Sequence, residues 1–248
     1  MSGIPVFSAA SGSDEPRLPL ISYRNDNHVE FHLDLDAGVH EATAIVILWI
    51  GASDRERLYA LYFRRFVDRG GMLRDILDIA PAHPLAAFLE RVGTTGYRTA
   101  DLTMDNVTDR RIDIQDMHDY EDDRFQFFVC SHVLEHVPND VAAIGELYRI
   151  LAPGGWGICM VPINLGLSEI YENPDIADEA GRWKHFGQND HVRVYSKAGF
   201  VERLESAGFR VAQHGIAYFG EEVFKRHAIH PRSVLYIAHK DAKAAAMS

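Results

Sequence analysis

Two cysteines in 248 residues are too few to staple a fold. A disulfide framework or a cysteine-rich zinc site needs more of them, at regular spacings. Cys130 and Cys159 both sit inside apolar runs, FQFFVCS and WGICMVP, and read as buried thiols on neighbouring strands. Positive charge is also short: 25 lysines and arginines stand against 36 aspartates and glutamates, a net −11. A surface of that sign repels phosphate backbones, so no nucleic-acid partner is expected. Small basic pockets for a sugar or an acid stay open. The longest apolar run, ATAIVILWIGA from Ala42, is about half of what a spanning helix needs. The opening MSGIPVFSAASGSDEPRLPL has no basic start followed by an apolar core, so it does not read as a secretory signal. These absences lead to the expectation of a cytoplasmic protein with no membrane span.

What is present is a pattern of alternating elements. Residues 1–20, rich in Ser, Gly, Pro and Ala, are expected to form a loose tail. Residues 21–50 are mixed, and TAIVILWI within them reads as a strand or a buried segment. The stretch SDRERLYALYFRRFVDRGG predicts a helix. Ser53 and Glu56 have capping-box spacing, Leu58, Leu61, Tyr62 and Phe66 recur at helical spacing, and Gly70 and Gly71 supply the stop. Its basic residues read as a solvated face. From Met72 on, strand-like and helix-like segments alternate: MLRDILDIA, HPLAAFLERVG, GYRTADL, RRIDIQDM, RFQFFVCS, NDVAAIGELYRILAPGG, WGICMVPI. Near-continuous apolar strands suit a sheet covered on both faces, and their alternation with helices predicts an α/β, doubly wound, mostly parallel arrangement. The last two strand-like segments, RVAQHGIAYFG and SVLYIAHK, predict an antiparallel hairpin at the sheet edge. A tail and cap segment over 1–50 and one domain over 51–248 are expected, with no internal repeat.

The stretch DRFQFFVCSHVLEHVPNDVAAIGELYRILAPGGWGICMVPIN resembles the middle of the class I S-adenosylmethionine-dependent methyltransferase family. In that family an acidic residue and an aromatic feed a central strand, a His-Val-Leu-Glu-His type loop follows it, and a helix closes with Leu-x-Pro-Gly-Gly. The likeness covers roughly 72–212. FGQNDHVRVYSKAGFVERLESAGF and DRERLYALYFRRF are similar to a subgroup carrying a Gly-Gln-x-Asp-His-x-Arg segment, and sugar O-methyltransferases of the actinobacterial methylmannose-polysaccharide type are the nearest named kind. The resemblance implies a Rossmann-like seven-stranded sheet, S-adenosylmethionine as cofactor, and a small-molecule acceptor, with a homodimer left open.

Ligands of open α/β sheets bind at the carboxyl ends of the strands near the switch point. The first of these strands ends at DIAPAHP, where the resemblance places a glycine-rich turn. Asp78, Ala80 and Pro81 would line the cofactor there, although proline fixes the backbone and removes a donor. The resemblance further implies that Asp101, with Leu102 beside it, accepts the ribose hydroxyls. Asp113 would take the adenine amino group and the Ile114 amide a ring nitrogen, with Asp116 as an alternative. Ser131 and His132 would close the cofactor site.

His132, Glu135 and His136 spell H-x-x-E-H, which three chemistries could use. An inverted zincin motif needs both histidines on one long helix, and Pro138 follows at once. A divalent cation such as Mg2+ held by Glu135 and His136 is a second reading, because some quinone-pathway O-methyltransferases carry Glu-x-x-Glu-His here. His132 replaces the first glutamate, which suits magnesium less well. In the third, His136 is the general base, His132 touches cofactor or substrate, and His191 is the rival base. The polar stretch 164–191 reads as a cover over the acceptor. Tyr171, Trp183 and Phe186 could stack on a sugar face, and Glu172, Asn173, Gln188 and the nearby Arg193 could hold its hydroxyls. An inert binding domain, an N-methyltransferase and a nicotinamide oxidoreductase are the other classes weighed, the last lacking its glycine fingerprint.

Overall fold

The computed structural model describes residues 52–242 and two short strands, β1 (Ser22–Arg24) and β2 (Glu30–His32), which pair antiparallel. The tail expected over 1–20 and the apolar segment 43–50 lie outside the described residues. The first described helix, α1 (Asp54–Asp68), begins where its cap sequence says: the Ser53 amide donates to Glu56 Oε2 at 2.6 Å. It buries Leu58, Tyr59 and Phe63 against the sheet, and Gly70, at φ 86°, ends it.

The strands then follow in the order β3 (Ile76–Ile79), β4 (Arg98–Asp101), β5 (Asp109–Arg110), β6 (Phe125–Ser131), β7 (Leu151–Met160), β8 (Tyr171–Glu172), β9 (Arg193–Val194), β10 (Arg210–His214) and β11 (Leu235–His239). Between them lie α2 (His83–Arg91), α3 (Asp140–Ile150), α4 (Glu179–Phe186), α5 (Lys197–Ser206), α6 (Ile216–Phe219) and α7 (Glu221–Arg226). Seven strands form one sheet in the order β10-β11-β7-β6-β3-β4-β5, while β8 and β9 make a separate antiparallel pair. Strands β7, β6, β3, β4 and β5 run parallel, and β11 runs antiparallel to both of its neighbours. This is the Rossmann-like α/β sheet expected, with its antiparallel edge.

The middle strands are buried because both faces are covered. Ile76, Leu77, Phe128, Ile158 and Cys159 have no exposed surface. Gly157 is required by this packing, since a Cβ there would lie 2.2 Å from the Phe128 ring. Cys130 and Cys159 are direct partners across β6 and β7, both free and buried.

Three element boundaries differ from the sequence pattern. The helix expected to run through Leu-Ala-Pro-Gly-Gly stops at Ile150, and those residues open β7 instead. Leu151 turns extended there, and the Gly154 amide and the Gly155 carbonyl exchange bonds with Lys240 beyond β11. The strand expected over RRIDIQDM shrinks to Asp109 and Arg110, leaving Asp113 in a loop. The edge hairpin carries α6 and α7 between its strands, because Gly215 breaks the β10 ladder.

The crevice follows from the order of the strands. The chain moves outward from β3 through β4 to β5, then returns to set β6 on the other side of β3. In open α/β sheets ligands bind beyond the carboxyl ends of the strands at such a switch point, which here are the ends of β3 and β6.

Candidate active site

Both strand ends at the switch point turn through left-handed backbone. Ala80, after β3, has φ 51°, and His132, after β6, has φ 57°. Neither residue is a glycine, so each conformation carries strain of the kind that gathers at functional sites. Ala80 thus adopts a left-handed turn open to glycine, with its amide on the Ala100 carbonyl at 2.9 Å. Pro81 and Ala82 follow, and α2 begins at His83 with proline in its first turn.

Below this turn Asp78 is buried, and the Tyr97 hydroxyl donates to its Oδ2 at 2.8 Å. Burial pushes its carboxyl up to about 7, the Tyr97 bond opposes the shift, and the Glu56 charge adds to it. At the end of β4, Asp101 Oδ1 accepts from the Thr103 amide at 2.6 Å and the Met104 amide at 2.7 Å. None of these bonds uses Oδ2. Leu102 and Met104 stand 56% and 40% exposed beside it. Asp113 Oδ1 accepts from the Gln115 amide at 2.9 Å, and Ile114 is buried next to it.

The loop after β6 is built from the inside. Leu134 and Val137 are buried, and Asn139 caps α3 through the Ala142 amide at 3.1 Å. Three of its carbonyls point at one guanidinium. Arg193 Nη1 donates to Leu134 at 2.7 Å and to Val137 at 2.5 Å, and Nη2 donates to Pro138 at 2.9 Å. Its Nε donates to Glu172 Oε2 at 2.9 Å, and Arg203 pairs with both Glu172 and Asp140. The Tyr195 hydroxyl also donates to Asp140. Arg193 therefore does not face a ligand: it is 4% exposed and clamps the loop. Glu172 is drawn into the same network, and the Arg203 guanidinium first, then burial working against it and Arg193, holds its carboxyl below the usual range.

This clamp fixes the histidines. The ring of His132 meets Arg55 of α1 through Nε2, and the hydroxyl of Tyr59, one turn on, bonds Ser131 Oγ at 2.8 Å. An arginine can only donate, so Nε2 of His132 is the acceptor and Nδ1 carries the proton. That nitrogen lies 3.1 Å from Glu135 Oε1. The contact is poorly directed, and neither oxygen of the buried Glu135 carboxylate receives a hydrogen bond. His136 Nδ1 stands 3.1 Å from Asp190 Oδ2, while its Nε2 lies 4.0 Å from Glu135 Oε1. His191 packs edge-on against His136 with ring centroids 4.7 Å apart. One ligand atom each from Glu135, His136 and His191 falls within 4.8 Å of the others. His132 is not in that group.

Residues 52–214 match the methyltransferase domain family. The chain belongs to that family. It is a class I S-adenosylmethionine-dependent methyltransferase domain, and S-adenosylmethionine is its methyl donor. No curated protein matches the chain. Among solved structures it is similar to a SAM-dependent methyltransferase from Archaeoglobus fulgidus, at 16% identity and a TM-score of 0.48, over 78% of this chain and 97% of that one. It is likewise similar to an S-adenosylmethionine-dependent methyltransferase from Mesorhizobium loti, at 14% identity and 0.47, over 81% and 98%. His132, Glu135, His136 and His191 gather in and beside the loop after β6, and Ala80 follows the adjoining strand β3. Among the described residues no helix is long and apolar enough to cross a membrane.

The sequence reading missed two residues here. Asp190 is in contact with His136, and Arg55 is in contact with His132. The only sequence signal for Asp190 was its place in GQNDH, and Arg55 looked like one charge among many on α1. That helix is less solvated than its composition suggests. Arg57 donates to the Ala52 and Ala228 carbonyls, and Arg65 to those of Tyr218 and Phe219. In the stretch 164–191, the Tyr171 hydroxyl bonds His185 Nδ1 at 2.7 Å, the Gln188 amide donates to Asp190 Oδ1 at 2.7 Å, and Asn173 Oδ1 accepts from the Asp175 amide. Trp183 is 59% exposed, whereas Phe186 is buried and so has no face for a ligand.

Proposed function

We propose that the protein methylates a hydroxyl group of a small molecule, a sugar or glycoside, with His136 as general base. S-adenosylmethionine supplies an electrophilic methyl group on a sulfonium, so the protein's work is to align the acceptor oxygen and take its proton. The observation that carries this reading is the contact between His136 Nδ1 and Asp190 Oδ2 at 3.1 Å. A carboxylate on Nδ1 keeps the proton there and leaves Nε2 with its lone pair, as a base requires. Nε2 of His136 would take the hydroxyl proton as the acceptor oxygen receives the methyl group that S-adenosylmethionine would supply, with S-adenosylhomocysteine as the leaving group. Asp101 Oδ2 and the Asp113 loop are the proposed contacts for ribose and adenine, and the Ala80–Pro81 turn and Ser131 those for the amino-acid arm. Residues 164–191 are the proposed cover. The exposed ring of Trp183, the rim of Tyr171 and the amide of Gln188 support a carbohydrate acceptor, since sugars offer apolar faces and hydroxyl edges together.

The test is turnover of His136→Ala on a panel of small glycosides, alongside calorimetry with S-adenosylhomocysteine. Turnover falling about 100-fold or more with unchanged affinity is expected, because the lost interaction acts in the transition state. Near-normal turnover overturns the assignment and makes His191 the next residue to test.

A second reading rests on the buried Glu135 carboxylate that lacks a donor beside His136 and His191. A divalent cation there would satisfy it and could lower the acceptor's pKa. Two imidazoles suit manganese or zinc better than magnesium. Chelation that abolishes turnover, reversed by one of these ions, favours this reading; full activity in chelator removes it.

A further inference from the structure

Adjacent residues at the start of α1 reach two different loops. Arg55 meets His132, after β6, and Asp54 accepts from the Ser233 hydroxyl, before β11, at 2.8 Å. The first turn of α1 therefore ties the histidine loop to the turn 227–233. Arg57 adds a second tie, donating to the Ala228 carbonyl at 2.9 Å. The sheet gives the span between the two loops. Ser131 is level with Met160 across β6 and β7, and Ile237 with Ile158 across β7 and β11, so Leu235 at the start of β11 is level with Met160 too. Strands lie about 4.8 Å apart, so the residues just before β11 stand roughly 10 Å from the end of β6.

That turn is basic in an acidic protein. The chain carries a net −11, yet Arg226, His230 and Arg232 follow one another here, all exposed. Among the described residues neither arginine has an ion-pair partner. The carboxylates nearby are occupied. Asp54 is on Ser233, Glu56 caps the Ser53 amide, and Glu222, in the first turn of α7, pairs with Lys225 at 3.0 Å. Positive charge is felt inside the turn as well: burial first, then the Arg226 and Arg57 guanidiniums, push the His227 imidazole down to about 4. Guanidiniums that face water without a carboxylate, beside a strand-end site, attract an anion and hold it through paired donors.

We infer that the acceptor is an acidic glycoside: its hydroxyl faces His136 while a phosphate or carboxylate on the same molecule sits on Arg226 and Arg232. The inference rests on the methylation of a sugar hydroxyl proposed above. The span suits a sugar ring with its charged substituent on the side away from the reacting hydroxyl. The basic rim then selects among acceptors, because a charge-assisted bond is roughly twice as strong as a neutral one and a neutral glycoside of the same shape cannot form it.

The experiment is calorimetry on the protein saturated with S-adenosylhomocysteine, titrated with glucose, glucose 6-phosphate, glucuronate and inorganic phosphate. Wild type should bind a charged sugar at least about 10-fold more tightly than glucose, and the preference should shrink as salt rises. The comparison of glucose 6-phosphate with glucuronate tells which anion the rim prefers. Arg226→Gln combined with Arg232→Gln should lose most of the preference. Its melting temperature and its affinity for S-adenosylhomocysteine should stay unchanged, since both side chains are exposed. Equal binding of charged and neutral sugars, a preference that survives the double variant, or inorganic phosphate binding as tightly as glucose 6-phosphate overturns the assignment. Binding is read without turnover. A preference lost in the double variant therefore supports the rim even where His136→Ala keeps its activity, and failure of the base is told apart from failure of the rim.

Discussion

His136 and Asp190 face each other across 3.1 Å although they come from different loops, one after β6 and one before β9. Burial works against charge on Asp190, but the Gln188 amide and the His136 ring outweigh it and hold the carboxyl below its ordinary range. The pair is docked by backbone as well, through the Val192 amide on the Glu135 carbonyl at 2.9 Å. Asp190→Asn keeps the shape and removes the charge. Its kcat should fall about 10- to 100-fold with KM for the acceptor and affinity for S-adenosylhomocysteine little changed. A fall in affinity without a fall in kcat would make Asp190 a docking residue only.

Arg193 is the second prediction. Replacing it with methionine fills similar space but leaves three carbonyls without their donor and Glu172 with Arg203 alone. Removing the buried guanidinium from these carbonyls and from Asp140 beside it costs about 3–5 kcal/mol. Urea denaturation should show a loss of that size, with a shallow change in slope. A loss below about 1 kcal/mol would mean that water replaces the guanidinium.

Asp78 gives the protein a pH dependence. Its folded-state carboxyl holds a proton up to about pH 7, while the unfolded chain releases it near the ordinary 3.8. Between those values the folded state binds more protons, so this group's contribution to stability is lost as pH rises from about 4 toward 7. Asp78→Asn does not titrate. Wild type should therefore lose stability relative to Asp78→Asn as pH rises, on the order of a few kcal/mol across that window. Parallel stability profiles for the two proteins would show that Asp78 is solvated in both states.

Ala80 holds a left-handed conformation without glycine's freedom. Ala80→Gly should relieve that strain and stabilise the fold by about 0.5–1 kcal/mol, less than the full penalty because glycine also loosens the unfolded chain. The readout is the melting temperature without ligand. A lower value would mean that the alanine methyl packs in a way that offsets the strain.

Much of the fold could be read from residue patterns. The runs FQFFVCS and WGICMVP are apolar on both faces because β6 and β7 lie mid-sheet, and each thiol found its partner on the adjoining strand. Boundaries failed where two tendencies compete: Leu151 can extend a helix or open a strand, and tertiary pairing with Phe125 decided for the strand. At the site, types of residue were legible and their partners were not. Arg193 looked like a substrate ligand because a charged residue beside His191 reads as exposed. Only the fold shows that three carbonyls surround it. Arg55 lies 77 residues from His132, and no local pattern links them.

The Cys130–Cys159 pair has a practical use. Both thiols are sealed in the middle of the sheet, and the Cys159 thiol beside it, together with burial, pushes the Cys130 thiol well above the usual cysteine range. A thiol reagent in solution can reach them only when β6 and β7 separate. The rate of labelling is then a clock for opening of the sheet centre, native to the protein and needing no introduced probe. Because the strands sit directly under the switch-point cleft, slower labelling on adding S-adenosylhomocysteine would measure how strongly an occupied cleft holds the sheet closed.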